Sequence, residues 1–231
     1  SAYFPSGFKN TLLMSHDGMG EIATSVYAHG KSGKINYLHK ENLYPHSLGL
    51  TYSAITYFLG WKHHCDEGII MGLAPYGNPL AKIKNTKDTY IKIFNEIIKE
   101  DGNLNYKINP KWISYYNKRD TWITDKFIRL FGKPRKFNGR ITKHHKNIAA
   151  ALQLRIENIV IKQLKYLKNK YNFENLCIAG GVGLNCSLNG KIDKCKLFKK
   201  IFIQPAAGDA GCTIGACYLS SKNQFSISSI K

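Results

Sequence analysis

The sequence contains no Cys-x-x-Cys pair, although six cysteines occur, at 65, 177, 186, 195, 212 and 217. That spacing argues against a zinc site and against the disulfide framework of a small secreted domain. Several of the cysteines lie in apolar segments such as Leu176-Cys177-Ile178, which suggests buried thiols in a reducing, cytoplasmic setting. No apolar run approaches the roughly 20 residues that span a bilayer. The longest runs, such as residues 67–76, are broken by Gly and Pro, so no membrane is expected as a partner. Internal repeats and low-complexity linkers are absent. The start, Ser1-Ala2-Tyr3-Phe4-Pro5, has neither a basic n-region nor an apolar h-region and reads as a chain that begins inside a longer protein. Arginine is scarce: of 34 basic residues only Arg119, Arg129, Arg135, Arg140 and Arg155 are Arg. The net charge of +19 therefore comes mainly from lysines scattered along the chain. Phosphate specialists favour the bidentate fork of Arg, so nucleic acid is not the expected partner.

What is present suffices for a packed core. The chain has 231 residues, 43% of them hydrophobic, enough for one large domain or two small lobes. Residues 11–15, 22–29 and 34–39 read as three strands of an antiparallel meander, the last two joined by the turn Gly30-Lys31-Ser32-Gly33. Ser47 is placed to cap a helix whose apolar face is Leu48, Tyr52, Ile55 and Leu59. Residues 71–79 read as a loop and residues 86–100 as a helix. Residues 101–143 are polar, aromatic and basic, and look like an insertion with a helix near 120–131. The second half changes rhythm. A long helix is expected over about 145–170, a buried strand at 176–179, a short helix near 186–190, a strand at 201–204 and a last helix ending near Leu219. Residues 220–231 form a polar tail. This pattern describes an α/β domain with ligand loops at strand ends.

Three of those loops combine glycines with acids or amides. Asp17-Gly18-Met19-Gly20-Glu21 joins the first two strands. Its glycines let backbone N–H groups approach a phosphate, and its carboxylates can hold a metal or a donor hydroxyl; an ordinary Asp-Gly hairpin turn is the plainer use. Gly180-Gly181-Val182-Gly183-Leu184-Asn185 lies between a strand and a helix, where backbone donors meet anions, and Asn185 can meet a ribose or base edge. It matches a dinucleotide fingerprint loosely, and tight strand–helix packing explains it equally well. Gly208-Asp209-Ala210-Gly211 starts a helix, where Asp209 either caps or ligates a metal. The pairs His63-His64 and His144-His145 chelate poorly, since adjacent residues on a helix diverge, and read as surface features. Tyr and Trp around 112–122 fit an acceptor-binding wall, core or a lid.

Taken in order, several strings resemble the O-carbamoyltransferases of the nodulation protein U and antibiotic type. They are Tyr44-Pro45-His46-Ser47-Leu48-Gly49-Leu50, Met71-Gly72-Leu73-Ala74-Pro75-Tyr76-Gly77, Ala179-Gly180-Gly181-Val182-Gly183-Leu184-Asn185-Cys186 and Gln204-Pro205-Ala206-Ala207-Gly208-Asp209-Ala210-Gly211. The opening Ser1-Ala2-Tyr3-Phe4-Pro5-Ser6-Gly7-Phe8 and the Asp17-Gly18-Met19-Gly20-Glu21 turn match as well, so the resemblance covers residues 1–219. It implies an actin-like, sugar-kinase-like fold built on ribonuclease-H-like halves, incomplete here at both ends, and similar to the domain that attaches threonylcarbamoyl to tRNA. In the family a separate C-terminal domain makes carbamoyl-adenylate from carbamoyl phosphate and ATP. The actin-like domain then transfers the carbamoyl group to a hydroxyl of a small acceptor such as a sugar or antibiotic. A divalent metal, expected to be iron, is held by a His-x-x-x-His pair and an Asp.

By position the resemblance assigns the metal-binding Asp to Asp209 and places Asp17, with Gly18, Gly20 and Glu21, in the loop facing metal and carbamoyl group. Asp17 or Glu21 is the expected proton acceptor, and Asp17 a further metal contact. Gly180, Gly181 and Asn185 match the nucleotide loop, and His46 and Gly72 fall in segments expected to line the adenylate cleft. The chain departs from the family pattern in lacking the His-x-x-x-His pair, expected before Ser1, and the adenylating domain, so the fragment alone is expected to be inactive. It also reads Gly68-Ile69-Ile70-Met71 where a Lys usually precedes Met-Gly-Leu-Ala-Pro. A sugar or acetate kinase of the same fold, a tRNA-modifying transferase and a non-catalytic remnant are the competing expectations.

Overall fold

The computed structural model describes residues 1–116 and 121–221, side chains 40 and 41 excepted. After a short helix, α1 (Tyr3–Ser6), three strands follow: β1 (Asn10–His16), β2 (Ala23–Lys31) and β3 (Lys34–Leu43). They pair antiparallel, with Leu12 opposite His29 and His29 opposite Asn36. This is the expected meander, with the three strands running one, two and four residues past their predicted C-terminal ends and starting within one residue of their predicted starts. The sheet does not stop there. Two later strands, β6 (Asn175–Ala179) and β7 (Lys200–Ile203), add to the other side of β1 in parallel. The order is β3-β2-β1-β6-β7, so β1 is central, and Leu12 and Met14 are almost completely buried.

Most of the helices lie, in chain order, between β3 and β6. α2 (Leu48–Phe58) is capped as its sequence indicates, with Ser47 Oγ accepting from Leu50 N at 3.0 Å. α3 (Glu67–Leu73) and a 3₁₀ turn, Ala74–Tyr76, occupy the stretch expected to be a loop. Gly72 sits within that helix, and Pro75 falls inside the 3₁₀ turn, where its missing N–H costs little.

α4 (Tyr90–Ile97) ends sooner than its apolar spacing suggests. Residues Ile98–Asp101 leave it as strand β4 and pair with β5 (Asn105–Ile108) around Gly102, which has φ +76°. A residue from elsewhere fixes this exit: Arg155 is buried and donates from Nε and Nη2 to Ile98 O, at 2.9 and 2.6 Å, and from Nη1 to Glu100 at 2.9 Å. A buried guanidinium needs acceptors for its N–H donors, and these are presented when the helix opens at Ile98.

The stretch read as an insertion is part of the core. Tyr106, Ile108, Trp112, Ile113, Ile123 and Phe127 are buried in the same cluster as Leu12 and Leu176. The helix expected near 120–131 is α5 (Asp125–Phe131), capped by Thr124; residue 120 lies outside the described residues. α6 (Lys143–Tyr171) is the long helix, and ends at Asn172 in the left-handed region. α7 (Cys186–Lys194) follows β6, and α8 (Cys212–Ser221) follows β7. The polar tail lies outside the described residues from 222 onward.

Two further expectations change. All six cysteines are free, but only Cys177 is buried, while Cys65, Cys186, Cys212 and Cys217 are exposed. His144 is tied on both sides, to Tyr90 OH at 2.6 Å and to Phe131 O at 2.8 Å, so it joins α6 to α4 and α5 rather than standing free on the surface. No helix among the described residues is long and apolar enough to cross a membrane.

Candidate functional site

Strands β1, β6 and β7 run parallel, so their carboxyl ends reach one edge of the sheet. In such a sheet the crevice beyond the strand ends is where ligands bind. The three loops leaving those ends hold Asp17, Gly180 and Asp209. They are far apart in sequence and meet because the sheet order brings their strands together.

The packing at this edge admits no side chains at several points. Gly180 has φ +86°, and a Cβ there would lie 2.2 Å from His16 O. The exit of β6 thus lies directly on the exit of β1. A Cβ on Gly181 would come to 3.0 Å from Asp17 Oδ1, and one on Gly183 to 3.1 Å from Ala207. The N-terminus of α2 closes in from the other side, where a Cβ on Gly49 would meet Gly18 N at 2.7 Å. Ser47 fastens this contact, since its hydroxyl donates to Asp17 O at 2.9 Å while capping α2. Asp17 is held further by its own Oδ1, which accepts from Gly18 N at 2.7 Å.

The result is a cleft of about 500 Å³, the size of a drug-like ligand. Asp17, Gly18, Gly181, Asn185, Gly208 and Asp209 form one side of its lining. Tyr52 and Ser53 of α2, with His64, Cys65, Glu67 and Met71 from α3 and the turn before it, form another.

The residues expected at the site therefore divide. Asp17, Gly18, Gly181, Asn185 and Asp209 share the cleft, and Gly180 lies immediately behind it. Gly20 and Glu21 do not: Gly20 N closes a tight turn onto Ala23 O at 2.9 Å, and Glu21 is exposed, outside the cleft lining. His46 is also outside it. Its Nδ1 accepts from Ile108 N at 3.2 Å, and its carbonyl accepts from Thr24 Oγ1, so it joins β5 to the approach to α2. Burial, and then the charge of Lys107, hold its pKa below the usual histidine value. Gly72 faces open space, because on a helix Glu67, Gly68 and Met71 share the cleft-facing side and residue 72 turns away.

Asn185 has more than one role. Its Oδ1 accepts from Leu188 N at 2.9 Å, capping α7, and from Gln153 Nε2 at 3.0 Å, while its Nδ2 donates to Gln153 Oε1 at 2.9 Å. One amide hydrogen is left to meet a ligand edge. Gln153 Oε1 also accepts from Tyr52 OH at 2.9 Å, and its Nε2 donates to the buried Glu157 at 2.7 Å. Glu157 is also bonded to Ser187 and Lys191. Burial first, then the carboxylates Glu157 and Glu67, push the Tyr52 phenol well above its ordinary pKa, so it stays a neutral donor. Polar side chains of three helices thus set the floor of the cleft.

Sequence reading missed the α2–α3 wall. His64 is exposed, as a surface feature is, but it lies in a turn with φ +61° and lines the cleft. Of the tryptophans, Trp112 is core, while Trp122 packs against His63 and His64, with ring centroids 4.3 and 5.3 Å away. His16, one residue before Asp17, was also overlooked. It is fully buried, its Nε2 lies 2.9 Å from Tyr27 OH, and that hydroxyl donates to Gln163 Oε1 at 2.9 Å. The hydroxyl therefore accepts from His16, which is the Nε2–H tautomer. Burial lowers its pKa to about 4, so the ring is neutral.

Asp17 and Asp209 offer hard oxygen donors suited to a divalent cation. No group of three His, Cys, Asp or Glu able to hold a metal occurs among the described residues. The two carboxylates fit as part of a ligand set and do not complete one.

Comparison with known proteins agrees with this geometry. The family model described as the carbamoyltransferase N-terminus matches residues 1–218. The chain is 40% identical to "Uncharacterized protein sll1178" of Synechocystis over 94% of its length and 34% of that protein's. It is 34% identical to nodulation protein NolO of Bradyrhizobium diazoefficiens, over 96% of its length and 36% of the relative's, and 34% identical to nodulation protein NolNO of Sinorhizobium fredii, over 96% and 29%. The chain thus spans about a third of the length of these curated relatives. With its glycine- and acid-bearing loops gathered at one sheet edge, the chain belongs to the carbamoyltransferase family, matching its N-terminal part.

Proposed function

We propose that the chain is the transferring part of an ATP-dependent O-carbamoyltransferase, which moves a carbamoyl group from carbamoyl-adenylate to a hydroxyl of a small molecule. The observation that carries this is the convergence of Asp17, Gly181 and Asp209 on one cleft at the carboxyl edge of the sheet. A sheet of three antiparallel strands continued by two parallel ones supports a ribonuclease-H-like half of an actin-like fold. Carbamoyl phosphate and ATP would be the ultimate donors, with the adenylate made by another domain of a longer protein. Six free thiols suit a reducing cytoplasm.

In this scheme the acceptor oxygen forms a bond to the carbamoyl carbon, the bond from that carbon to the adenylate phosphate oxygen breaks, and AMP leaves. A mixed anhydride needs little help in leaving, so orientation and proton removal dominate. In this reading Asp17 takes the hydroxyl proton. Its Oδ1 is held by Gly18 N, which fixes the carboxylate and leaves Oδ2 for the acceptor. Glu21, the other carboxylate of that loop, is exposed outside the cleft lining and is set aside as the base. Asp209, with Asp17, would supply oxygen ligands to a divalent cation, iron in the family expectation; such an ion, when bound, polarises the carbamoyl oxygen.

The test is incubation of the full-length protein with carbamoyl phosphate, ATP and candidate sugars. AMP and a carbamoylated product are expected. ADP without AMP would instead indicate a kinase and overturn the proposal.

A further inference from the structure

The two faces of the five-stranded sheet are covered unequally. One face carries Leu12, Met14, Tyr27, Leu176 and Ile178, each at most 2% exposed, in one core cluster with residues of α2 and α6. The pairing register defines the other face: Tyr37, Ala28, Leu13, Cys177 and Phe202 stand in one row across all five strands. In that row Ala28 and Cys177 are buried, Leu13 and Phe202 are half-buried and Tyr37 is 60% exposed. Two short elements lie over this face. Tyr3 of α1 rests on Gly30, where a Cβ would lie 2.7 Å from the ring. Phe4 stacks on Tyr218 of α8 with ring centroids 5.8 Å apart, and a Cβ on Gly215 of α8 would come to 2.8 Å from Ser1 N.

The composition of α8 is that of a buried helix. Its sequence, CTIGACYLSS, holds no charged residue in a chain of net charge +19, yet of its residues only Gly215 is buried. Cys212, Ile214, Ala216, Cys217 and Leu219 are exposed. A helix without a charged face belongs in the interior of a larger protein, and a sheet with parallel strands is ordinarily covered on both faces. The chain spans about a third of the length of its curated relatives, so the proteins that carry this region have much more polypeptide to place. Ser1 and α8 both lie on this face, so polypeptide flanking the shared region would leave from it. A second copy is the poorer cover, since it would bring together two surfaces of the same high positive charge.

We infer that α8 and the row from Leu13 to Phe202 form an intramolecular interface, on which another part of the longer polypeptide packs with an apolar surface of its own. This rests on the sheet and on the family, and is independent of what the cleft binds or transfers.

The experiment labels the native full-length protein with N-ethylmaleimide and reads each thiol by mass spectrometry. Cys212 and Cys217 are the reporters, and the buried Cys177 shows whether the sheet is folded. Both reporters should react at least about tenfold more slowly than in the urea-unfolded protein. A smaller difference means that α8 faces solvent in the whole protein and overturns the inference. Protection lost on about hundredfold dilution identifies a second copy as the cover and also overturns it. Ile214→Glu should speed labelling of both reporters about tenfold while Cys177 stays protected. Reporters that stay slow in that folded variant overturn the inference. If the variant does not fold, the wild-type rates decide, together with Leu219→benzoylphenylalanine, a photo-crosslinking residue. It should join polypeptide of the same molecule outside residues 1–231; a crosslink only within 1–231, or to a second molecule, overturns the inference. Labelling is read without substrates, so its outcome is separate from that of the AMP assay.

Discussion

Gly49→Ala separates the cleft contact from helix propensity, because the two push in opposite directions. In an isolated helix, Ala in place of Gly stabilises by up to about 1 kcal/mol. At position 49 the new Cβ would lie 2.7 Å from Gly18 N and 2.8 Å from both Asp17 C and Asp17 O, where ordinary contacts begin at 3.4 Å. All three atoms are backbone and cannot swing aside. The peptide they belong to is tied by Asp17 N to Thr24 O at 2.9 Å and by Ser47 Oγ to Asp17 O at 2.9 Å. Overpacking of this kind costs about 1–3 kcal/mol, and losing the Ser47 bond adds about 1. After the propensity gain, a net loss of about 1–3 kcal/mol remains, or a Tm lower by roughly 2–12 °C for a chain of this size. Gly18→Ala is the control. Its Cβ would meet only Leu50 Cδ2, at 3.7 Å, and the change should stay within about 0.5 kcal/mol. Urea unfolding of both variants reads the difference. A Gly49→Ala protein as stable as wild type would mean that α2 does not abut the Asp17 loop, and the cleft as described would be wrong.

Three other perturbations follow from the site. Asn185→Ala removes the α7 cap and orphans Gln153, so unfolding should show a loss of about 2–3 kcal/mol; a loss below about 0.5 kcal/mol would refute the shared role. His16 is neutral in the fold, with its pKa lowered from 6.5 to about 4, so the unfolded chain binds the proton first. Its contribution to stability is complete above pH 6.5 and is lost as pH falls from there through 4, a total of about 3 kcal/mol. His16→Gln, which keeps a donor for Tyr27, should flatten that part of the stability profile, and an unchanged profile would sink the assignment. Asp209→Asn in the full-length protein should weaken retention of a divalent cation about tenfold or more, measured as metal content after dialysis; unchanged content would remove Asp209 from the ligand set.

Much of the fold was legible where structure is local. Period-two alternation located the meander, the 3.6 period located α6, and Ser47 marked the start of α2. What was not legible depends on partners distant in the chain. Nothing near Ile98 says that α4 must open there; the cause is Arg155, 57 residues on. Nothing in residues 175–179 says that they pair with β1, which is what brings Asp17 and Gly181 together. The same limit divides the site. Glycine loops announce themselves by composition, so Asp17, Gly181 and Asp209 were found, whereas Gly20, Glu21, His46 and Gly72 were included only because they lie near such motifs.

Glu67 shows why motif reading stops short of the whole cleft. In sequence it is one acid among 15, in a segment that looked like the approach to a loop. Only the fold shows that Ser53 and the backbone of His64 converge on one of its oxygens while the residue lines the same cleft as Asp17. A carboxylate without a cation would be expensive in a dry site, and this one is only half-buried, at the mouth where water reaches it. The chemistry of the cleft is therefore set by the few side chains that face inward, and the charge of the whole chain carries little information about it.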